Sequence, residues 1–126
     1  MRRVVLTGLG LISALGNTVP DMLAALRACQ NKVKYLPDWE IYQGLKTKLA
    51  APVENFVLPA SYGRKEIRSM GRVAQLGVYA AELALQDAGL LGAAVLHNGR
   101  LGVAYGSSSG SVDTLLDFYS MLVKHS

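Results

Sequence analysis

Cysteine is almost missing from this chain. Cys29 stands alone, which excludes a disulfide framework and any zinc-finger spacing, and a reducing cytosol is the simplest setting. Long apolar runs are missing too: none approaches the ~20 residues that span a bilayer. Met1-Arg2-Arg3 resembles the charged start of a signal peptide. The apolar stretch behind it, however, is broken by Gly8, Gly10 and Gly16 and has no small-residue cleavage site, so it reads as a buried strand. Charge is sparse at 17%. The cations are scattered, with no aromatic-rich RNA-binding stretch and no Cys/His finger, which argues against nucleic acid. Repeats and low-complexity segments are absent as well.

What remains is an unusually apolar chain for its size. Its 126 residues are 51% hydrophobic, with a mean hydropathy of +0.25. Surface is a large share of a molecule this small. We therefore expect either a partner that covers much of it or membership of a larger protein, and favour the second, one domain's worth of chain at most. Sheet and helix faces should then lie open in the isolated chain and make it aggregation-prone or partner-dependent. The net charge of +4 is uneven: eleven Lys and Arg face five Asp and Glu up to Arg72, and two face four beyond it. A basic front half suits an acidic partner or an ordinary solvated face.

Along the chain, Arg3–Leu6 predicts a short strand running into Gly8-Leu9-Gly10. A dinucleotide fingerprint fails there, because its third position is Ser13 and no acid follows at the required distance. Asn17-Thr18-Val19-Pro20-Asp21 is a helix start, with a capping side chain, a first-turn proline and an early acid. Apolar periodicity carries that helix to about Ala28, with Cys29 expected as a small core residue and not a nucleophile. Residues 31–44 form an irregular loop around Pro37 and Trp39, and Lys46–Val53 an edge strand. Leu58–Met70 carries Arg64, Lys65 and Arg68 at helical spacings, one cationic patch able to steer an acidic protein or a phosphate group. Gly71–Ala88 is the clearest helix. Its polar residues Arg72, Gln75, Glu82 and Gln86 leave one wet stripe and predict burial on the other sides, with Gly89 as a left-handed cap. His97 belongs to a solvated turn. A final helix is predicted over Val112–Lys124.

Leu101–Ser111, LGVAYGSSSGS, reads as strand, small-residue turn and helix start, the way α/β proteins bring backbone up to a ligand. The turn contains G-x-S-x-G, from Gly106 to Gly110. It admits two readings: a tight polar turn, or a nucleophile elbow centred on Ser108.

Three stretches together carry a resemblance. MRRVVLTGLGLISALGN, RKEIRSMGRVAQLGVYAAELALQDAGL and LGVAYGSSSGS resemble, in order and spacing, the opening, the first long helix with its approach, and the glycine-rich pocket turn of elongating β-ketoacyl-acyl-carrier-protein synthases. The resemblance implies an α/β fold: the N-terminal part of a thiolase-like, αβαβα-layered fold, a mixed sheet with packed helices, incomplete over residues 1–126. It implies decarboxylative Claisen condensation of acyl and malonyl groups in fatty acid or polyketide biosynthesis. In that family a cysteine takes the acyl group as a thioester and two histidines stabilise the enolate, roles that suit a thiolate and neutral imidazoles.

None of those three residues matches a position here, so Cys29, His97 and His125 receive no catalytic role. Arg64, Lys65 and Arg68 match the basic helix that the family presents to its acidic acyl carrier protein. Ser69 stands where a further cation is common, which weakens the patch. Ser108 and Ser109 match the turn that lines the acyl pocket, and Ser109 in place of a bulky aliphatic residue implies altered acyl gating. The resemblance also implies a cytoplasmic homodimer, or a synthase paired with a chain-length factor, and no cofactor or metal. A non-catalytic chain-length factor is the alternative. A serine hydrolase is less favoured, because only Asp113, Asp117 and His125 follow Ser108, on or beside the next helix.

Overall fold

A computed structural model describes residues 3–124, the side chain of Asp113 excepted. The chain divides into two compact units, Gly10–Val57 and a second that joins the first nine residues to Leu58–Ser126. No helix among the described residues is long and apolar enough to cross a membrane.

The Gly10–Val57 unit starts with a small antiparallel bridge between Ser13 and Gly16. Helix α1 follows over Val19–Arg27. Thr18 caps it: its Oγ1 accepts from the Asp21 backbone N–H at 3.2 Å and donates to the Asp21 carboxylate at 2.6 Å. The far end is a Schellman turn, with Cys29 N–H on the Leu26 carbonyl and Gln30 N–H on the Ala25 carbonyl. That geometry puts Cys29 at φ 52 and leaves it exposed. The expectation of a core cysteine is therefore corrected: the residue serves as the left-handed cap that glycine usually provides. Cys29→Gly should raise the unfolding free energy by about 0.5–1 kcal/mol, because the Cβ strain outweighs the added freedom of the unfolded chain. Chemical denaturation measures it, and an unchanged or lower midpoint would contradict the strain.

Strand β1, Lys34–Tyr35, lies in what reads as irregular loop, and β2, Leu49–Ala50, is all that forms of the expected edge strand. They pair antiparallel, Lys34 opposite Ala50 and Tyr35 opposite Leu49. Between them a 3-10 turn, Pro37–Ile41, holds the half-buried Trp39. Ion pairs Lys34–Glu54 and Lys48–Glu40 flank the ribbon. Among the described residues, the two buried below a tenth of their surface, Ala25 at 8% and Phe56 at 6%, belong to this unit.

The second unit is arranged along α3, Arg72–Asp87, whose caps are Gly71 and Ala88 and whose left-handed end is Gly89 at φ 67, as the sequence indicates. Before it comes α2, Arg64–Ile67, a single turn within the stretch that carries the cations at helical spacings. After it come a 3-10 turn, Ala94–Leu96, and α4 over Val112–Lys124, the predicted span. Three close approaches fix neighbours along α3. At its start, Gly71 has no side chain to cap the helix. Ser111 supplies the cap instead, its Oγ accepting from the Val73 N–H at 3.1 Å, and a Cβ on Gly71 would lie 2.3 Å from that side chain. In the middle, Gly77 makes room for Tyr105, whose ring would stand 2.6 Å from an added Cβ and whose hydroxyl donates to the Val73 carbonyl at 3.0 Å. At the end, Gly8 lies against the backbone of Ala84 and Ala88, and the Leu9 N–H donates to the Asp87 carboxylate at 2.9 Å.

One expectation needs correction here. α3 has no fully buried residue; most of its positions are half-buried. Gln75 and Glu82 leave the expected wet stripe because each has a partner, Gln75 donating to the Met70 carbonyl at 2.9 Å and Glu82 accepting from Tyr62. Arg3–Leu6 and Leu101–Tyr105 carry no ladder hydrogen bonds among the described residues, and Val4 is 96% and Val103 88% exposed. A β-branched run becomes a strand only when another segment takes its N–H and C=O groups. The one sheet among the described residues is the two-stranded ribbon.

Candidate functional site

Along one side of α3 runs an apolar groove of about 780 Å³. Its floor is Ala74, Gly77, Val78, Ala81 and Leu85 of the helix; Val103, Ala104 and Tyr105 form one wall and Tyr62 and Glu66 another. Gly77 was the sequence signal for this arrangement. A glycine inside a helix costs about 1 kcal/mol relative to alanine, which makes a close neighbour the natural explanation. Val78 and Ala81, assigned to a buried face by their period, are exposed because they line the groove.

The polar rim is built from two carboxylates and a phenol. Tyr62 donates its hydroxyl to the Glu82 carboxylate. Its pKa is pushed up to about 12, first by burial and then by the Glu82 hydrogen bond and nearby negative charge, so Tyr62 remains a donor at neutral pH. Glu66 turns back on its own helix, its carboxylate accepting from the Gly63 N–H at 2.6 Å. Tyr62 and Glu82 are twenty residues apart, and no local pattern in the sequence announces the pair.

Arg64, Lys65 and Arg68 are exposed on and just after α2, and none of their side chains enters an ion pair among the described residues. Three cations thus stand on the same turn as Glu66, which faces the groove. Ser108 and Ser109 are exposed in the turn before α4 and do not line the groove, whose wall ends at Tyr105. Within that turn Ser107 Oγ accepts from the Gly110 N–H at 3.1 Å, and Gly110 takes φ 63. Among the described residues Cys29 is the one non-glycine with positive φ, so Ser108 lacks left-handed backbone strain. A nucleophile elbow depends on a strained turn and on an acid and a histidine from later strands. A serine-directed fluorophosphonate should leave Ser108 unmodified, as intact mass would show; labelling there would restore the hydrolase reading. His125 lies outside the described residues. A second, polar cleft of about 320 Å³ occurs within the Gly10–Val57 unit, lined in part by Ser13, Asn17, Lys32 and Lys34.

An apolar groove thus runs along α3, and beside it lies a turn whose three cations enter no ion pair among the described residues. The comparisons with known proteins agree on the kind of chain that carries them. The profile of the family described as Beta-ketoacyl synthase, N-terminal domain, matches residues 1–125, and the chain belongs to that family. It is 33% identical over 123 residues to 3-oxoacyl-[acyl-carrier-protein] synthase 2 of Vibrio harveyi, covering 98% of this chain and 29% of that protein. The corresponding synthase 2 of Coxiella burnetii is 35% identical over 122 residues, 97% of this chain and 29% of its own length. Among solved structures, a β-ketoacyl synthase from Burkholderia phymatum matches with a TM-score of 0.89 at 50% identity, over 100% of this chain and 31% of that one. The chain therefore spans under a third of the relatives it matches. The α/β class holds at this level, in the manner of a β-ketoacyl synthase N-terminal domain.

Proposed function

We propose that these residues are the N-terminal segment of a 3-oxoacyl-[acyl-carrier-protein] synthase, an acyltransferase that elongates acyl chains by decarboxylative Claisen condensation with malonyl-carrier protein. In this reading the segment supplies docking cations, and the reacting cysteine and histidines come from sequence beyond it. The observation that carries it is the cluster of Arg64, Lys65 and Arg68, exposed and without ion-pair partners among the described residues, in a chain of this family. Unpaired exposed cations raise the encounter rate with an anionic surface, and an acidic acyl carrier protein is the anion the family offers. Ser108 and Ser109 belong to the turn that limits the acyl pocket, and the small polar Ser109 alters which chains fit. The segments around Val4 and Val103 are strands of the layered thiolase-like sheet, paired by the rest of the protein. A cytoplasmic dimer is part of the same reading.

Ionic strength tests the docking surface. In the protein expressed from its own gene, kcat/KM for carrier-borne acyl groups should fall about tenfold between low and physiological salt, while kcat stays level. A flat salt profile would contradict electrostatic docking.

A further inference from the structure

The docking turn poses a positional problem that α2 alone does not solve. It is four residues long, and its own hydrogen bonds are local: Glu66 and Ile67 N–H on the Gly63 carbonyl, Arg68 N–H on the Arg64 carbonyl, Glu66 carboxylate on the Gly63 N–H. Such a short helix is not stable by itself. No extensive helix-to-helix packing exists among the described residues; the ribbon strands β1 and β2 are the pair in broad contact. Behind the turn, the Gln75 side chain holds the Met70 carbonyl at 2.9 Å. In front of it, a side-chain bond reaches across to α3: Tyr62 to Glu82. Tyr62 is itself set in a turn, its N–H on the Pro59 carbonyl at 3.1 Å.

We infer that the Tyr62–Glu82 bond is a latch that positions Arg64, Lys65 and Arg68 for the acyl carrier protein, so that Tyr62 and Glu82 are positioning residues for docking and not part of the reacting centre. The inference rests on the docking role proposed above. Its physical content is preorganisation: cations held on a fixed turn lose less freedom when an anionic partner arrives than cations on a loose loop. A bond to an ionised acceptor, partly shielded from water, is strong enough to hold a one-turn helix in place. Glu82 also has its charge matched to a phenol and not to one of the three arginine and lysine side chains, which leaves all three cations available to the partner.

The test uses the protein expressed from its own gene, with kcat and KM measured for an acyl group on its carrier protein and on free pantetheine. Tyr62→Phe should raise KM for the carrier-borne substrate about fivefold, with kcat within about twofold and KM for the pantetheine thioester unchanged. Glu82→Ala should do the same, and the double variant should be no worse than either single one. Glu82→Gln keeps an acceptor oxygen for the Tyr62 hydroxyl and should restore KM to within about twofold of wild type. An unchanged carrier KM in Tyr62→Phe, or an equal rise for both substrates, overturns the latch. If Lys65→Glu with Arg68→Glu leaves carrier KM unchanged, the docking reading fails and the latch with it. A defect in that charge-reversed variant beside wild-type kinetics in Tyr62→Phe overturns the latch alone.

Discussion

Replacing Gly8 with alanine should lower the unfolding free energy by about 2–3 kcal/mol, the largest stability effect expected from a single methyl group in this chain. An added Cβ would stand 2.3 Å from the Ala84 carbonyl oxygen, 2.7 Å from the Ala88 nitrogen and 2.8 Å from the Ala88 Cβ. Two of those three atoms are helix backbone, which cannot rotate away as the end of a side chain does. Relief therefore means lifting the first residues off α3, which also stretches the Leu9 N–H bond to Asp87. Gly102→Ala is the control: nothing lies within 4 Å of its added Cβ, and a change within about 0.5 kcal/mol is expected. Equal midpoints for the two variants in urea would show that the Gly8 contact does not hold the N-terminal segment.

Reversing two docking charges, Lys65→Glu together with Arg68→Glu, should raise KM for carrier-borne substrate more than tenfold while leaving kcat for a pantetheine thioester unchanged. Both side chains are exposed and outside any ion pair among the described residues, so the substitution removes no internal contact there. Reversal also does more than neutralisation, because it sets like charge against an acidic partner. Added salt should narrow the gap between wild type and variant, since screening weakens attraction in one and repulsion in the other. A KM that rises for both substrates would place the two cations elsewhere in the mechanism.

What the sequence made legible was what depends on local chemistry. α3 begins and ends where its glycines and its period put it, and α4 covers the span its apolar stripe predicts, because such signals act within a few residues. Strand pairing was not legible: Arg3–Leu6 reads as a β-branched run but carries no ladder among the described residues, whereas Lys34–Tyr35 reads as loop and pairs with Leu49–Ala50, since pairing depends on segments far away. Cys29 misled for a related reason: apolar periodicity placed it on the helix face, while it is itself the left-handed residue of the Schellman turn and stands in solvent. The cationic turn was visible as spacing. Its attachment was not, because Tyr62 meets Glu82 across twenty residues. Ser111 stands at the end of the small-residue stretch Leu101–Ser111, and no local pattern shows that its hydroxyl caps α3 across the thirty-eight residues to Val73, where Gly71 cannot.

The most direct test of the proposed function is mass spectrometry of the acyl carrier protein after incubation with the protein expressed from its own gene, malonyl-carrier protein and an acyl donor. The account predicts a carrier bearing a 3-oxoacyl chain extended by one acetyl unit, with release of carbon dioxide and a rate that falls when Lys65 and Arg68 are reversed. An acyl chain that returns unextended, from a protein shown to be folded, would contradict it.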